Sequence, residues 1–211
     1  MANRREQNEK ETGRLEAFSD GVFAIAITLL ILDIQPPHLA PGASNAALRH
    51  ALLQLWPSYL AFLGSFFVIL IMWVNHHGFF KLIDRVDRAL LVSNGFLLLC
   101  VTFVPFPTAV LADALKRQSI NTAAAFYCGT FVLISIAYNL LWLSAALPRC
   151  LFRASAPEGL IRKIRNAYLF GLPVYLAAAL LAFRFAYLGL AICFSLWMLW
   201  ATLGYQGKEE R

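Results

Sequence analysis

The sequence predicts an all-α integral membrane protein. Hydrophobic residues make up 60% of the 211-residue chain and charged residues only 14%, whereas soluble domains have about 45–50% apolar and about 25% charged residues. The mean hydropathy is +0.64. The apolar residues also form long runs, and a helix needs about 20 mostly apolar residues to cross the hydrocarbon of a bilayer.

Six transmembrane helices are predicted from these runs. In chain order they cover residues 15–34, 52–76, 89–112, 121–147, 168–183 and 185–205. Residues 1–14 are polar and lack the apolar core of a cleavable signal peptide, so they are expected to form a cytoplasmic segment. The last two helices meet so closely around Arg184 that they are expected to form a hairpin. Residues 15–205 therefore form one six-helix transmembrane domain, followed by a cytoplasmic tail at 206–211.

The basic residues predict the orientation of these helices. With the N-terminus inside the cell, the cytoplasmic segments carry fourteen of the eighteen Lys and Arg residues. An excess of Lys and Arg marks cytoplasmic loops, so both termini are expected in the cytoplasm. The net charge of +6 then reflects membrane topology, and no nucleic-acid partner is expected.

The four cysteines are isolated from one another in the sequence. Cys100, Cys128, Cys150 and Cys193 occur singly and form no C-x-x-C pair. Neither a disulfide framework nor a zinc site is therefore expected. No cofactor or resident metal follows from the sequence.

The first predicted helix has a narrow apolar stripe. On a helix with 100° per residue, Ile25, Leu29 and Leu32 share one face. Thr28 lies beside this face, and the small residue Ala24 flanks Ile25. Ordinary packing against another helix explains such a stripe, and so does the lining of a pore.

Asp20 is an expensive residue inside a spanning helix, because ionisable groups there usually face the protein interior or a water path. Polar side chains end the second helix at a matching depth. We expect a network that joins Asp20 and Ser19 to one or more residues of this cluster and that also includes Arg14 and Phe18. The cluster comprises Trp73, Asn75, His76 and His77. The network has either a structural role, as buried polar groups that must be paired, or a direct role in conduction.

The run Arg14-x-x-x-Phe18-Ser19-Asp20 at the start of the first helix resembles the hallmark of the transmembrane protein 175 family. This family comprises endosomal and lysosomal potassium channels and their prokaryotic relatives. Three further stretches support the resemblance, which covers nearly the whole chain: the continuation GVFAIAITLLIL, the cluster Trp73-x-Asn75-His76-His77, and the third-helix phrase FVPFPTAVLAD.

The resemblance implies a potassium-permeable cation channel. A chain with one six-helix repeat is expected to form a homotetramer in the bilayer, with a central pore lined by four first helices. The family's constriction corresponds to Ile25, with Leu29 and Leu32 as further apolar rings, and its hydroxyl layer corresponds to Thr28. K⁺ and other monovalent cations are the expected permeant ions. Ala24 replaces a second hydroxyl that the family often has, so weak to moderate preference for K⁺ over Na⁺ is expected.

Two further features complete this expectation. Stacked apolar rings gate a pore by excluding water, and Asp33 at the outer mouth would attract cations. Asp33 is otherwise an exposed carboxylate at a helix end. The expected location is the inner membrane of a bacterial cell, as a multi-pass protein.

The sequence also bears on three other classes of function. No G-x-S-x-G, H-E-x-x-H or Walker sequence occurs, so an enzyme is not expected and no catalytic residue is assigned. A secondary transporter or a proton pathway through Asp20 and His76 or His77 is the main alternative. A structural membrane protein without conduction would leave Asp20 as a packing device.

Overall fold

The protein is built from α-helices, as a computed structural model that describes residues 2–115, 119–147 and 151–203 shows, with side chains from residue 6. No β-strand occurs in these ranges. The helices are α1 (Ala2–Leu29), extended by a 3₁₀ turn (Leu30–Asp33), α2 (Asn45–Leu53), α3 (Trp56–Phe80), α4 (Arg88–Phe103), α5 (Pro105–Ala114), α6 (Ile120–Ala146), α7 (Glu158–Ala182) and α8 (Ala186–Ala201).

Five helical segments in the described residues are long and apolar enough to cross a membrane. They are Glu6–Asp33, Trp56–Phe80, Arg88–Ala114, Ile120–Ala146 and Glu158–Ala182. The sixth predicted helix forms as α8, which has only 16 residues. At about 1.5 Å per residue, it is shorter than a full crossing of about 30 Å. Its predicted end at Tyr205, the tail 206–211, Lys116 and Arg117 lie outside the described residues.

The first helix begins earlier than its apolar run. It starts at Ala2, whereas the sequence predicted a transmembrane helix from Leu15. The polar residues before Leu15 continue the same helix, because hydrogen bonds inside the backbone do not require apolar side chains. Thr12 donates its hydroxyl to the carbonyl of Asn8 at 3.0 Å within this extension.

The third predicted helix is divided at Val104. α4 ends at Phe103 and α5 begins at Pro105. Pro105 and Pro107 have no N–H to donate to the preceding turn, and proline is favoured at the first position of a helix. The two prolines, which belong to the sequence FVPFP, therefore divide one predicted crossing into two helices.

α6 lies at the centre of the protomer, and α1 lies at its edge. Within the most apolar part of each segment, 61% of α6 is buried by the rest of the protein, compared with 22% of the first span. α1 packs against α3 and α4. Most of the surface of α1 is therefore uncovered in a single protomer.

The α3–α4 and α6–α7 connections are joined to each other by main-chain hydrogen bonds. Asp84 N donates to Leu151 O at 2.9 Å, and Arg153 N donates to Leu82 O at 2.8 Å. The Arg153 side chain adds a hydrogen bond from Nε to the Ile83 carbonyl at 3.1 Å. We call the two segments that these bonds join, residues 82–84 and 151–153, the paired loops.

α7 and α8 form a tight hairpin around Arg184. A Cβ atom added to Gly189 would lie 2.6 Å from the Cβ atom of Ala182, so the two helices approach each other through small residues. The Ala186 backbone N–H at the start of α8 donates to Asn121 Oδ1 at 3.2 Å. The hairpin predicted from the sequence is present.

Candidate functional site

One face of α1 is uncovered and apolar. Phe18, Ile25 and Leu32 are 64%, 58% and 63% exposed. These residues are seven positions apart, so they share one face of a helix. Leu29 lies on the same side and is 41% exposed. We call these four residues the open stripe.

The opposite face of α1 packs into the protomer. Phe23, Ala26 and Leu30 are at most 1% exposed. By helical geometry they lie at least about 100° from Ile25 around the α1 axis. The open stripe therefore points away from the protomer's own core.

Thr28 lies at the edge of the open stripe and is exposed. Its hydroxyl donates to the carbonyl of Ile25 at 2.9 Å. Because a hydroxyl has one donor and two acceptor lone pairs, the Thr28 oxygen is still able to accept a hydrogen bond or contact a cation. Ala24 is also exposed and contributes no hydroxyl.

Asp33 ends the 3₁₀ turn and is partly buried. This turn packs against α3 and α5. The Oδ2 atom of Asp33 has no hydrogen-bond partner among the described residues. Its carboxylate follows Leu32 directly and lies at the end of α1 that is opposite Asp20.

Asp20 is held by the polar cluster near the end of α3. The Trp73 indole N–H donates to Asp20 Oδ1 at 2.8 Å. The Trp73 ring stacks on the His77 ring, with centroids 5.8 Å apart. His77 Nδ1 on α3 lies against Glu16 Oε1 on α1.

A second connection joins α1, α3 and α4 through fully buried groups. His76 Nε2 lies 2.8 Å from Asn94 Oδ1, and Asn94 Nδ2 donates to Ser19 Oγ at 2.9 Å. Ser19 in turn donates to the carbonyl of Leu15 at 2.9 Å. Because an amide oxygen only accepts, His76 Nε2 carries the proton in this chain. The three side chains are at most 1% exposed.

The remaining residues of the expected network lie elsewhere. Asn75 points away from α1 and contacts the carbonyl of Trp200 at 3.4 Å. Arg14 is exposed, and no hydrogen bond joins it to Asp20 within the part of the chain that the structure describes. Asn94 and Glu16 were not among the residues predicted from the sequence. A single amide inside the apolar third helix was the available signal for Asn94.

These contacts join α1 to α3 and α4. Glu16, Ser19 and Asp20 hold three points of the inward side of α1 against α3 and α4, and this limits rotation of the open stripe.

No group of three His, Cys, Asp or Glu residues able to hold a metal occurs in the described ranges. The thiols of Cys100, Cys128 and Cys193 are free and buried, and Cys150 lies outside those ranges.

Comparison with known proteins gives a consistent result. Residues 14–105 match the family described as endosomal/lysosomal potassium channel TMEM175. A potassium channel of Chamaesiphon minutus is 49% identical over 188 residues, which cover 89% of this chain and 92% of that protein. The endosomal/lysosomal proton channel TMEM175 of Danio rerio is 34% identical over 139 residues, covering 63% of this chain but 26% of that protein.

A solved structure also superimposes on the fold. The crystal structure of a lysosomal potassium-selective channel TMEM175 homolog from Chamaesiphon minutus matches with a TM-score of 0.80 at 48% sequence identity. The match covers 91% of this chain and 97% of that one. The similarity therefore extends over most of the chain rather than the first-helix motif alone.

Proposed function

The chain belongs to the TMEM175 family, and on that premise we propose that it is a potassium-permeable cation channel with a pore lined by its first helix. The resemblance predicted from residues 14–20 is confirmed by this membership. The family is one of ion channels, so the expectation that the chain is not an enzyme is confirmed as well. The chain is an integral membrane protein.

The observation that carries the proposal is the open stripe of α1. Its residues are apolar and uncovered, while the opposite face is packed and held by buried hydrogen bonds. A helix held from behind presents the same side chains in every copy. A second surface of protein is needed to place that stripe around a conduit, and further copies of the chain supply it.

Four copies around one axis are the proposed assembly. The open stripes would then form stacked rings of Ile25, Leu29 and Leu32, about 10 Å long from first to last at a rise of about 1.5 Å per residue. Ile25 is the proposed constriction. Apolar rings of this kind close a pore by dewetting, and a small dilation admits water and cations.

In the proposed topology α8 is the sixth crossing, and both termini lie in the cytoplasm. The excess of Lys and Arg in the inner segments supports this orientation. The resulting units are residues 1–14, a channel domain at 15–205 and a tail at 206–211. The bacterial relative supports a location in a bacterial inner membrane.

Selectivity is assigned to Thr28 and entry to Asp33. The Thr28 hydroxyl has a free acceptor side beside the proposed constriction, and four copies would form a hydroxyl layer. Ala24 adds no second layer, which is why the proposed preference for K⁺ over Na⁺ is weak to moderate. Asp33 at the opposite end from Asp20 would raise the local cation concentration at the outer mouth.

The inner polar groups have a structural role in this proposal. They comprise Ser19, Asp20, Trp73, His76 and His77, together with Asn94 and Glu16. Buried polar groups are costly unless paired, and these pairs hold α1 in one orientation. Phe18 and Arg14 lie outside the network, on the uncovered side of α1.

Electrophysiology of the purified protein in planar bilayers tests the proposal. Under opposing K⁺ and Na⁺ gradients, we expect single-channel currents that reverse nearer the Nernst potential of K⁺ than that of Na⁺. A reversal potential of zero together with flux at transporter turnover would contradict it.

A proton pathway is the second candidate function. The Danio rerio relative is named a proton channel. Asp20 belongs to the inner half of α1, and His76 on α3 lies beside it. Proton flux without K⁺ current, measured with a pH-sensitive dye in liposomes, would favour this candidate. In that case His76→Gln should abolish the flux while the protein still assembles.

A further inference from the structure

A small cavity lies inside the protomer, away from the proposed pore. Its volume is about 40 Å³, and it is enclosed by α3, α6, α7 and α8. Aromatic side chains form much of its wall, including those of Phe131, Tyr175 and Trp197. Two polar groups in this wall are incompletely paired.

The first of these groups is the side-chain amide of Asn75 on α3. Asn75 is 5% exposed and lines the cavity. Its Nδ2 atom makes one long hydrogen bond, 3.4 Å, to the carbonyl of Trp200. Its Oδ1 atom has no partner among the described residues. A buried acceptor left in this condition destabilises the folded protein.

The second group is the indole N–H of Trp197 on α8. Trp197 is 8% exposed and also lines the cavity. Its Nε1 atom has no hydrogen-bond partner in the described ranges, whereas the neighbouring Trp200 donates to Tyr175 at 3.0 Å. An indole nitrogen only donates. The cavity is therefore lined by one residue with an unpaired acceptor on α3 and one residue with an unpaired donor on α8.

We propose that this cavity binds ordered water that bridges Asn75 Oδ1 and Trp197 Nε1. A water molecule both donates and accepts, so it satisfies both groups at once. A cavity needs about 10–15 Å³ to hold one water molecule. The cavity of about 40 Å³ therefore has room for at least one. Its wall contains no charged side chain, which favours a neutral occupant over a cation.

The bridge has a defined place in the fold. It links α3 to the short helix α8. Asn75 on α3 also donates a long hydrogen bond to the carbonyl of Trp200 on α8. Asn75 is one position from His76, which takes part in the buried connection to α1. Bound water would therefore fix the turn of α3 that also holds the first helix. This inference does not depend on ion conduction.

A high-resolution structure of the full-length protein in lipid tests the site directly. We expect density for an oxygen within about 3.2 Å of both Asn75 Oδ1 and Trp197 Nε1, as for ordinary hydrogen bonds. Trp197→Phe, which keeps an aromatic ring and removes the N–H, should abolish that density. A cavity closed by rotated side chains, or a dry cavity, would overturn the proposal.

A double-mutant cycle gives an independent readout. Asn75→Leu and Trp197→Phe should each lower the melting temperature, and the two effects should be less than additive because both remove the same bridge. Trp142→Phe is the matched control, because the Trp142 indole N–H also lacks a partner in the described residues but does not line the cavity. Additive effects of Asn75→Leu and Trp197→Phe would overturn a shared water bridge.

Discussion

The indole N–H of Trp73 donates a 2.8 Å hydrogen bond to the carboxylate of Asp20. This contact joins the first helix to the third across a sequence separation of 53 residues. Asp20 lies about 140° around the α1 axis from Ile25. The bond therefore holds α1 on the side away from the open stripe, and it sets which side chains that stripe presents.

Asp20→Ala should harm assembly more than ion preference. The change leaves the Trp73 N–H without its partner, and a hydrogen bond to a charged group is worth about 1.5–3 kcal/mol. We expect a lower melting temperature and a smaller tetramer fraction by size-exclusion chromatography. Asp20→Asn, which keeps an acceptor, should retain more of both. A normal tetramer yield with reversed ion selectivity would contradict this assignment.

Asn94→Leu should destabilise the protein more strongly than Ser19→Ala. Leucine removes the partner of two buried groups at once, His76 Nε2 and Ser19 Oγ, whereas Ser19→Ala leaves the His76 contact in place. We expect a loss of about 2–6 kcal/mol for Asn94→Leu, since two buried groups lose a partner and each costs about 1–3 kcal/mol. Thermal denaturation in detergent measures both variants. Equal melting temperatures would show that Asn94 does not connect the three helices.

Ile25→Asn should raise the leak current. An amide at the proposed narrowest ring would attract water and weaken the dewetted barrier. We expect at least a severalfold higher open probability in planar bilayers. Leu180→Asn, at a site on α7 that is 61% exposed, is the control for placing an amide on an uncovered surface. Unchanged conductance of Ile25→Asn would rule out this residue as the gate.

Ile25→Cys should crosslink between subunits. In a background without the four native cysteines, four thiols around the axis of the proposed tetramer would come close enough for oxidation to dimers or for Cd²⁺ binding. We expect dimer bands on non-reducing gels and block of current by micromolar Cd²⁺. The same experiment with Leu180→Cys should give neither. If both variants crosslink equally, the contact is collisional and the pore assignment fails.

Thr28→Val should reduce the preference for K⁺ over Na⁺. Valine keeps the shape of threonine and removes the oxygen that lies beside the proposed constriction. We expect the reversal potential under bi-ionic conditions to move toward zero by several millivolts or more. Thr28→Ser retains the hydroxyl and should keep the wild-type value. An identical shift for both variants would assign the effect to packing.

Much of the fold was predictable from the sequence because the apolar runs are long. The residue pattern also placed Ile25, Leu29 and Leu32 on one face, and the structure leaves that face uncovered. Periodicity alone did not distinguish this from packing against a neighbouring helix, because both need the same spacing. The motif at residues 14–20 supplied the missing information, and the comparisons confirm the family that it indicated.

The details that the sequence did not predict depend on tertiary contacts. Asn94 and Glu16 are a single amide and a single carboxylate, and their partners His76 and His77 are identified only once α1, α3 and α4 are packed together. The start of α1 at Ala2 was also missed, because hydropathy reports burial in lipid rather than helix formation.

The paired loops, residues 82–84 and 151–153, have a practical consequence for protein engineering. Their main-chain hydrogen bonds leave little freedom to lengthen either connection. A fluorescent tag inserted at 82–84 or 151–153 would therefore separate paired backbone groups. Residues 36–43 form no helix and are almost entirely exposed. That segment is the better insertion point for an epitope, and labelling intact cells there would report directly which side of the membrane it faces.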